Sequence, residues 1–170
     1  GKGICVENDI APETIGKELR SALENGLQEA LQSGVLAGYP LDDVRARVVK
    51  VEFHEGSSSE QAFKVAAEMA TQEALKKAGA TLLEPIMTIQ VITPEEYMGD
   101  IIADLNARRG QVMDIQDMGA LKNVKGFIPL GETFGYSSVL RSISQGRAGF
   151  SLQPEKYARV GESRAREILF

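Results

Sequence analysis

Between Leu82 and Gln153 the apolar residues change period in the order strand, helix, strand, strand, helix, strand, and that order leaves few folds open. Residues 82–92 read as a strand. Thr93-Pro94-Glu95-Glu96 fits a capping box with proline at the first helical position. Tyr97, Met98, Ile101, Ile102 and Leu105 then recur at helical spacing, and Gly110 ends the helix. Residues 111–117 and 121–130 read as strands joined around Gly119. Glu132 to Ile143 reads as a second helix with Phe134, Val139, Leu140 and Ile143 inward, and 147–153 as the closing strand. The order βαββαβ is the ferredoxin-like split unit.

The stretch before it follows another pattern. Residues 12–33 read as an amphipathic helix on Ile15, Leu19, Ala22, Leu23, Leu27, Ala30 and Leu31, stopped by Gly34. Val44, Ala46 and Val48 alternate with Arg45 and Arg47, as a half-buried strand requires. The phase then slips, and Val49, Val51 and Phe53 alternate with Lys50 and Glu52, so a bulge or strong twist is expected at Val48-Val49. A helix follows over 60–77, with Ala62, Ala66, Ala67, Ala70 and Ala74 on a face with Phe63. Ser57-x-x-Glu60 and Ser58-x-x-Gln61 both fit its capping box. This module is β-α-β-α, and "KKAGATLLEP" at 76–85 is the boundary. The whole reads as an α+β protein of two small α/β sandwich modules.

A length of 170 residues with 43% apolar content suits two such modules. No run of about 18 apolar residues exists to span a membrane, and the chain does not open on a signal peptide. It opens on Gly1 inside a strand pattern, and reads as a fragment. The single Cys5 forms no internal disulfide, which fits a reducing, cytoplasmic setting. A net charge of −5 argues against a generally basic nucleic-acid binder. Every basic residue beyond position 80 lies at or after Arg108, which reads either as a solvated face with a helical tail or as a patch facing an anion.

Catalytic chemistry finds little support. His54, the only histidine, sits in "VEFHEGSSSEQAF" beside Glu55, Gly56, Ser57 and Ser58. A hydrolase triad needs the base between nucleophile and orienter in space, which neighbours in one loop do not provide, and no G-x-S-x-G elbow exists. No metal-ligand spacing and no G-x-x-x-x-G-K-[ST] phosphate loop is present. An exposed histidine between rigid elements suits contact with phosphate or base edges. From spacing alone an idle surface histidine is the simpler reading.

Longer strings carry more. "NGLQEALQSGVLAGYPLDDVRA", "SSSEQAFKVAAEMA", "LLEPIMTIQVITPEEYMGDIIADLNARRG" and "IPLGETFGYSSVLRSISQGRAGF" strongly resemble elongation factor G, a translational GTPase family. The resemblance covers the family's fourth and fifth domains. It implies a domain-IV-like first module over 1–80, truncated at its start and shaped like the second domain of ribosomal protein S5. A ferredoxin-like domain V follows over 81–156, then a tail over 157–170. It implies that this piece is no enzyme, while its parent hydrolyses GTP with Mg in a separate GTPase domain. It implies partners: the ribosome through 16S and 23S rRNA and stalk-base proteins, with tRNA and mRNA, the chain itself being monomeric. His54, Glu55, Gly56, Ser57 and Ser58 fall on the family's tip loop, which enters the decoding centre. Arg108, Arg109, Arg141 and Arg147 become candidates for rRNA phosphate contacts. Three departures stand out. Glu55-Gly56-Ser57 replaces the family's Asp-Val-Asp, Ala148 ends "QGRA" where the family has glycine, and Gly161 replaces a proline. These leave open a paralogue for ribosome recycling or protection, and, from another class, a free-standing ferredoxin-like small-molecule-binding module.

Overall fold

A computed structural model describes residues 3–54 and 56–169. The chain folds into two compact units, 1–81 with 162–170, and 82–161.

In the first unit, β1 (Cys5–Asn8) and β2 (Arg45–Val48) pair in parallel, in register from Cys5↔Arg45 to Asn8↔Val48. A parallel pair needs a crossover, and α1 (Lys17–Ser33) supplies it. The helix starts five residues later than the apolar spacing suggests. Ala11 to Thr14 close a turn first, and Gly16 is the N-cap. Ile15 still reaches the core at 4% exposure, from outside the helix. Gly34 ends α1 at φ +60, where glycine carries no Cβ penalty.

The helix α2 (Glu60–Ala78) packs on α1 through Phe63 and Ala67 against Leu23 and Leu27. The close point is Gly26, where an added Cβ would run into the backbone carbonyl of Lys64. Ala62, Ala66, Ala70 and Ala74, expected inward, are exposed; Phe63, Ala67, Thr71 and Leu75 are the buried face. Ala66, Ala70 and Ala74 instead line an apolar groove of about 590 Å³ with Leu27, Leu31 and Val48. A two-stranded sheet is too narrow to cover that side of α2.

The strand expected to reach Phe53 stops at Val48. β1 ends opposite it, so residues 49–54 have no partner strand among the described residues. The phase slip is present, three residues long: Val48 and Val51 face the core while Val49, 74% exposed, and Lys50 face solvent between them. Phe53 is exposed as well.

The second unit is a four-stranded antiparallel sheet, in order β4 (Gln111–Met118), β5 (Leu121–Pro129), β3 (Leu83–Pro94), β6 (Gly149–Arg159). The helices α3 (Glu95–Ala107) and α4 (Tyr136–Ile143) share its core: Ile89, Val91, Ile101, Leu105, Val124, Ile128, Tyr136 and Leu140, all at 2% exposure or less. The order βαββαβ is the one read from the sequence. A last helix, α5 (Glu162–Leu169), groups with the first unit.

Local departures in the second unit have visible causes. Thr93 stays in β3 opposite Lys122, so no capping box forms and Pro94 is the N-cap. The left-handed residue after α3 is Arg109 at φ +62, one position before Gly110. Gly135, at φ +74, splits the expected 132–143 helix into a 3-10 turn over Leu130–Thr133 and α4. That break turns Phe134 outward, 77% exposed, and puts Tyr136 in the core. The closing strand runs to Arg159, six residues beyond expectation, with the Val160 N–H donating to Leu82 O.

Candidate functional site

The loop between β2 and α2 is held by its own backbone. The His54 carbonyl accepts from the N–H groups of Ser57 (3.3 Å) and Ser58 (3.1 Å). The His54 N–H in turn donates to Ser58 Oγ at 3.0 Å. Gly56 takes φ +87, a backbone region that favours glycine. Ser59 is the N-cap of α2, accepting from the Ala62 N–H at 3.2 Å. The serine run therefore does cap the helix, one residue later than the nearer of the two expected boxes. Ser58 closes the turn instead.

His54, Gly56 and Ser57 are exposed and Ser58 is half-buried; Glu55 lies outside the described residues. The described tip candidates, His54, Gly56, Ser57 and Ser58, thus sit together on one tight turn. The His54 ring has no hydrogen-bond or ion-pair partner among the described residues. Among those residues no group of three or more His, Cys, Asp or Glu could hold a metal ion. What the turn offers chemically is a small polar knob with one titratable ring.

Arg141 lies on α4, Arg108 and Arg109 follow the C-terminus of α3, and Arg147 pairs at its N-terminal end, about 20 Å away at 1.5 Å per residue. At its C-terminus Arg108 works inside the fold. Its Nε binds Asp104 at 2.8 Å, its Nη1 donates to Glu132 O at 2.9 Å, and its guanidinium lies 5.3 Å from the Tyr136 ring centroid. Arg109 reaches Glu84, and Glu132 at 3.6 Å; the Glu84 hydrogen bond is the main reason its pKa is raised. At the N-terminal end Arg147 binds Glu96 at 2.6 Å and lies over the Tyr97 ring at 5.5 Å. Arg141, on the last turn of α4, is exposed and unpaired among the described residues.

Sequence reading passed over the sheet face opposite α3 and α4. Phe127 lies on it, with Lys156 Nζ 5.5 Å from its ring centroid. The available signal was Phe127 standing out of phase with the inward Val124 and Ile128.

A β-α-β-α module carrying an exposed polar turn, joined in sequence to a ferredoxin-like βαββαβ module, defines a two-module α+β protein. Comparison with known families places it further. Residues 1–79 match "Elongation factor G, domain IV" and residues 81–168 match "Elongation factor G C-terminus". A protein of Syntrophomonas wolfei named "Elongation factor G 2" is 48% identical over 99% of this chain and 24% of its own length. "Elongation factor G" of Thermotoga petrophila is 54% identical over 91% of this chain and 22% of its own length. A crystal structure of a Thermus thermophilus protein superposes with a TM-score of 0.82 at 34% identity, over 99% of this chain and 26% of that one. The chain belongs to the elongation factor G family, and spans about a quarter of the length of these relatives. No helix among the described residues is long and apolar enough to cross a membrane.

Proposed function

We propose that this chain is the domain IV and V portion of a cytoplasmic elongation factor G, which promotes GTP-dependent movement of tRNA and mRNA on the ribosome. GTP and Mg belong to a GTPase domain elsewhere in the parent. In this reading the His54 turn enters the decoding centre and touches RNA backbone, so no base code is required. Arg109, Arg141 and Arg147 contact rRNA phosphates, while Arg108 is held inside the fold by Asp104 and Glu132.

The observation that carries the reading is the exposed His54 ring on a turn closed by its own main chain. Such a group acts by position and charge. His54→Ala in the full-length factor should leave folding and ribosome-stimulated GTP hydrolysis nearly unchanged. A charge-assisted surface contact is worth about 1–3 kcal/mol. Translocation should therefore slow about ten- to a hundred-fold. Single-round mRNA movement at saturating factor, wild type against variant, is the measurement, and equal rates would refute a working tip.

A second reading, a recycling or protection paralogue, is favoured by Glu55-Gly56-Ser57, less acidic than the family's tip. Full-length protein that splits ribosomes but does not support polypeptide synthesis would establish it.

A further inference from the structure

We propose that the open face of the second unit's sheet is a platform for unpaired RNA, with a base stacked on Phe127 between Lys125 and Lys156. The proposal deepens the ribosomal reading, and rests on it only for the source of the RNA.

Ile89, Val91, Val124 and Ile128 point toward α3 and α4. Their alternate neighbours Gln90, Ile92, Asn123, Lys125 and Phe127 point the other way, since successive strand residues face opposite sides. No element of the second unit packs on that side among the described residues. Cross-strand partners extend the face: Ser151 pairs with Gln90, Gln153 with Thr88, and Gln116 with Asn123. The aromatic therefore sits on a central strand, with a cation over its ring and amide and hydroxyl groups around it. Lys125 and Lys156 form no ion pair among the described residues. Carboxylates on this face are all engaged: Glu84, two alternations along β3 from Thr88, is held by Arg109 at the far end, and two more stand on the outer strands. Asp114 accepts from Gln116 at 2.9 Å, and Glu155 from the Thr88 hydroxyl at 2.9 Å.

A second observation points to a ligand. Asn123 is only 7% exposed, and its Oδ1 is buried with no hydrogen-bond partner among the described residues. A buried acceptor left unpaired is unfavourable. It lies four residues from Phe127 on β5, about 14 Å along the strand. Two or three splayed bases cover such a distance on four-stranded RNA-binding sheets. A base amino group would satisfy Oδ1 once the flanking exposed Ile92 and Leu121 side chains part. Unpaired RNA is favoured over a protein partner because the exposed apolar residues Ile92, Met118 and Leu121 lie at one end. The centre is polar and cationic. Stacking on an aromatic tolerates any base, and lysines supply the backbone attraction.

The test is fluorescence anisotropy of a labelled ten-nucleotide unstructured RNA with the 170-residue chain, against the same sequence as a duplex. The single strand should bind more tightly. Phe127→Leu should weaken it at least about fivefold, and Phe127→Tyr should retain it. Lys125→Gln and Lys156→Gln should each flatten the salt dependence by about 0.7 in logarithmic slope. Asn123→Ala should remove preference among bases. Unfolding midpoints of each variant separate lost binding from lost folding. Equal binding by Phe127→Leu and wild type, preference for duplex, or no binding would overturn the proposal. So would RNA binding by this chain that is absent from the full-length factor, since the face would then be a domain interface. No arm involves ribosomes, so failure here leaves the His54 translocation test standing.

Discussion

The two units use the same parts, short strands and two principal helices, yet finish their cores differently. In the second, four strands back two helices, and eight core residues are at 2% exposure or less. In the first, two strands back two longer helices, its main apolar cluster stays at 4–8%, and an apolar groove runs between β2 and α2. Sheet width makes the difference. A helix can bury only the stripe that a neighbour covers, so α2 seals Phe63, Ala67, Thr71 and Leu75 and leaves its alanine row open. The first unit should therefore be the less stable of the two.

That contrast can be broken most severely at Gly26. Alanine is better than glycine in a helix by about 1 kcal/mol. Here its Cβ would meet the Lys64 carbonyl, part of the backbone and unable to rotate away. Overpacking of this kind costs about 1–3 kcal/mol, occasionally more. With the clash against backbone placing the cost at the upper end, Gly26→Ala should lower the stability of the first unit by about 2 kcal/mol net and leave the second unit unchanged. Hydrogen exchange read separately at β1/β2 and β3/β5 amides checks it; equal loss in both units would show that they unfold together.

Tyr136 tests the tighter unit. Burial, then the nearby Asp104, push its phenol up to about 12, with Arg108 opposing. Its hydroxyl has no hydrogen-bond partner among the described residues. The unfolded chain ionises near pH 10 while the folded chain keeps the proton to about 12. In that window the unfolded state binds fewer protons, so stability falls as pH rises, by on the order of 2 kcal/mol. Tyr136→Phe should abolish this contribution, and should be neutral or slightly stabilising at pH 7. Denaturant unfolding of both proteins at pH 7 and pH 11 is the comparison; parallel losses would place the effect elsewhere.

The smallest effect belongs to the tip. Ser59→Ala removes the N-cap of α2 and should cost about 1 kcal/mol, confined to the first unit. Ser57→Ala should cost much less, because the Ser57 side chain caps nothing. Equal effects would mean that the cap has moved.

How far the sequence could be read differs between the units for the same reason. In the second unit large residues sit at helical spacing, and a wide sheet covers them. Ile101 and Leu105 were legible, and so was the turn at Gly119, which takes φ +78. The miss there is local: Gly135 looked tolerable inside a helix, and its left-handed backbone exchanged Phe134 for Tyr136. In the first unit, alanine carries too little apolar area to show which of its faces is covered. Strand pattern continued past Val48 although pairing did not. At the tip, residue type and exposure were legible, but no periodicity could reveal that the turn closes on the His54 carbonyl. Nor could it reveal that Arg108 turns inward onto Asp104 and Tyr136 while Arg141 stays free.

The doubly bonded His54 carbonyl has a mechanical consequence. The described residues of the turn are tied back to His54 by the Ser57 and Ser58 N–H groups. Ser59 couples it directly to α2, a rod of about 28 Å at 1.5 Å per residue. Gly26 seats that rod against α1 with no room to slide. Turn, cap, helix and seat thus follow one another without a break in hydrogen bonding or packing.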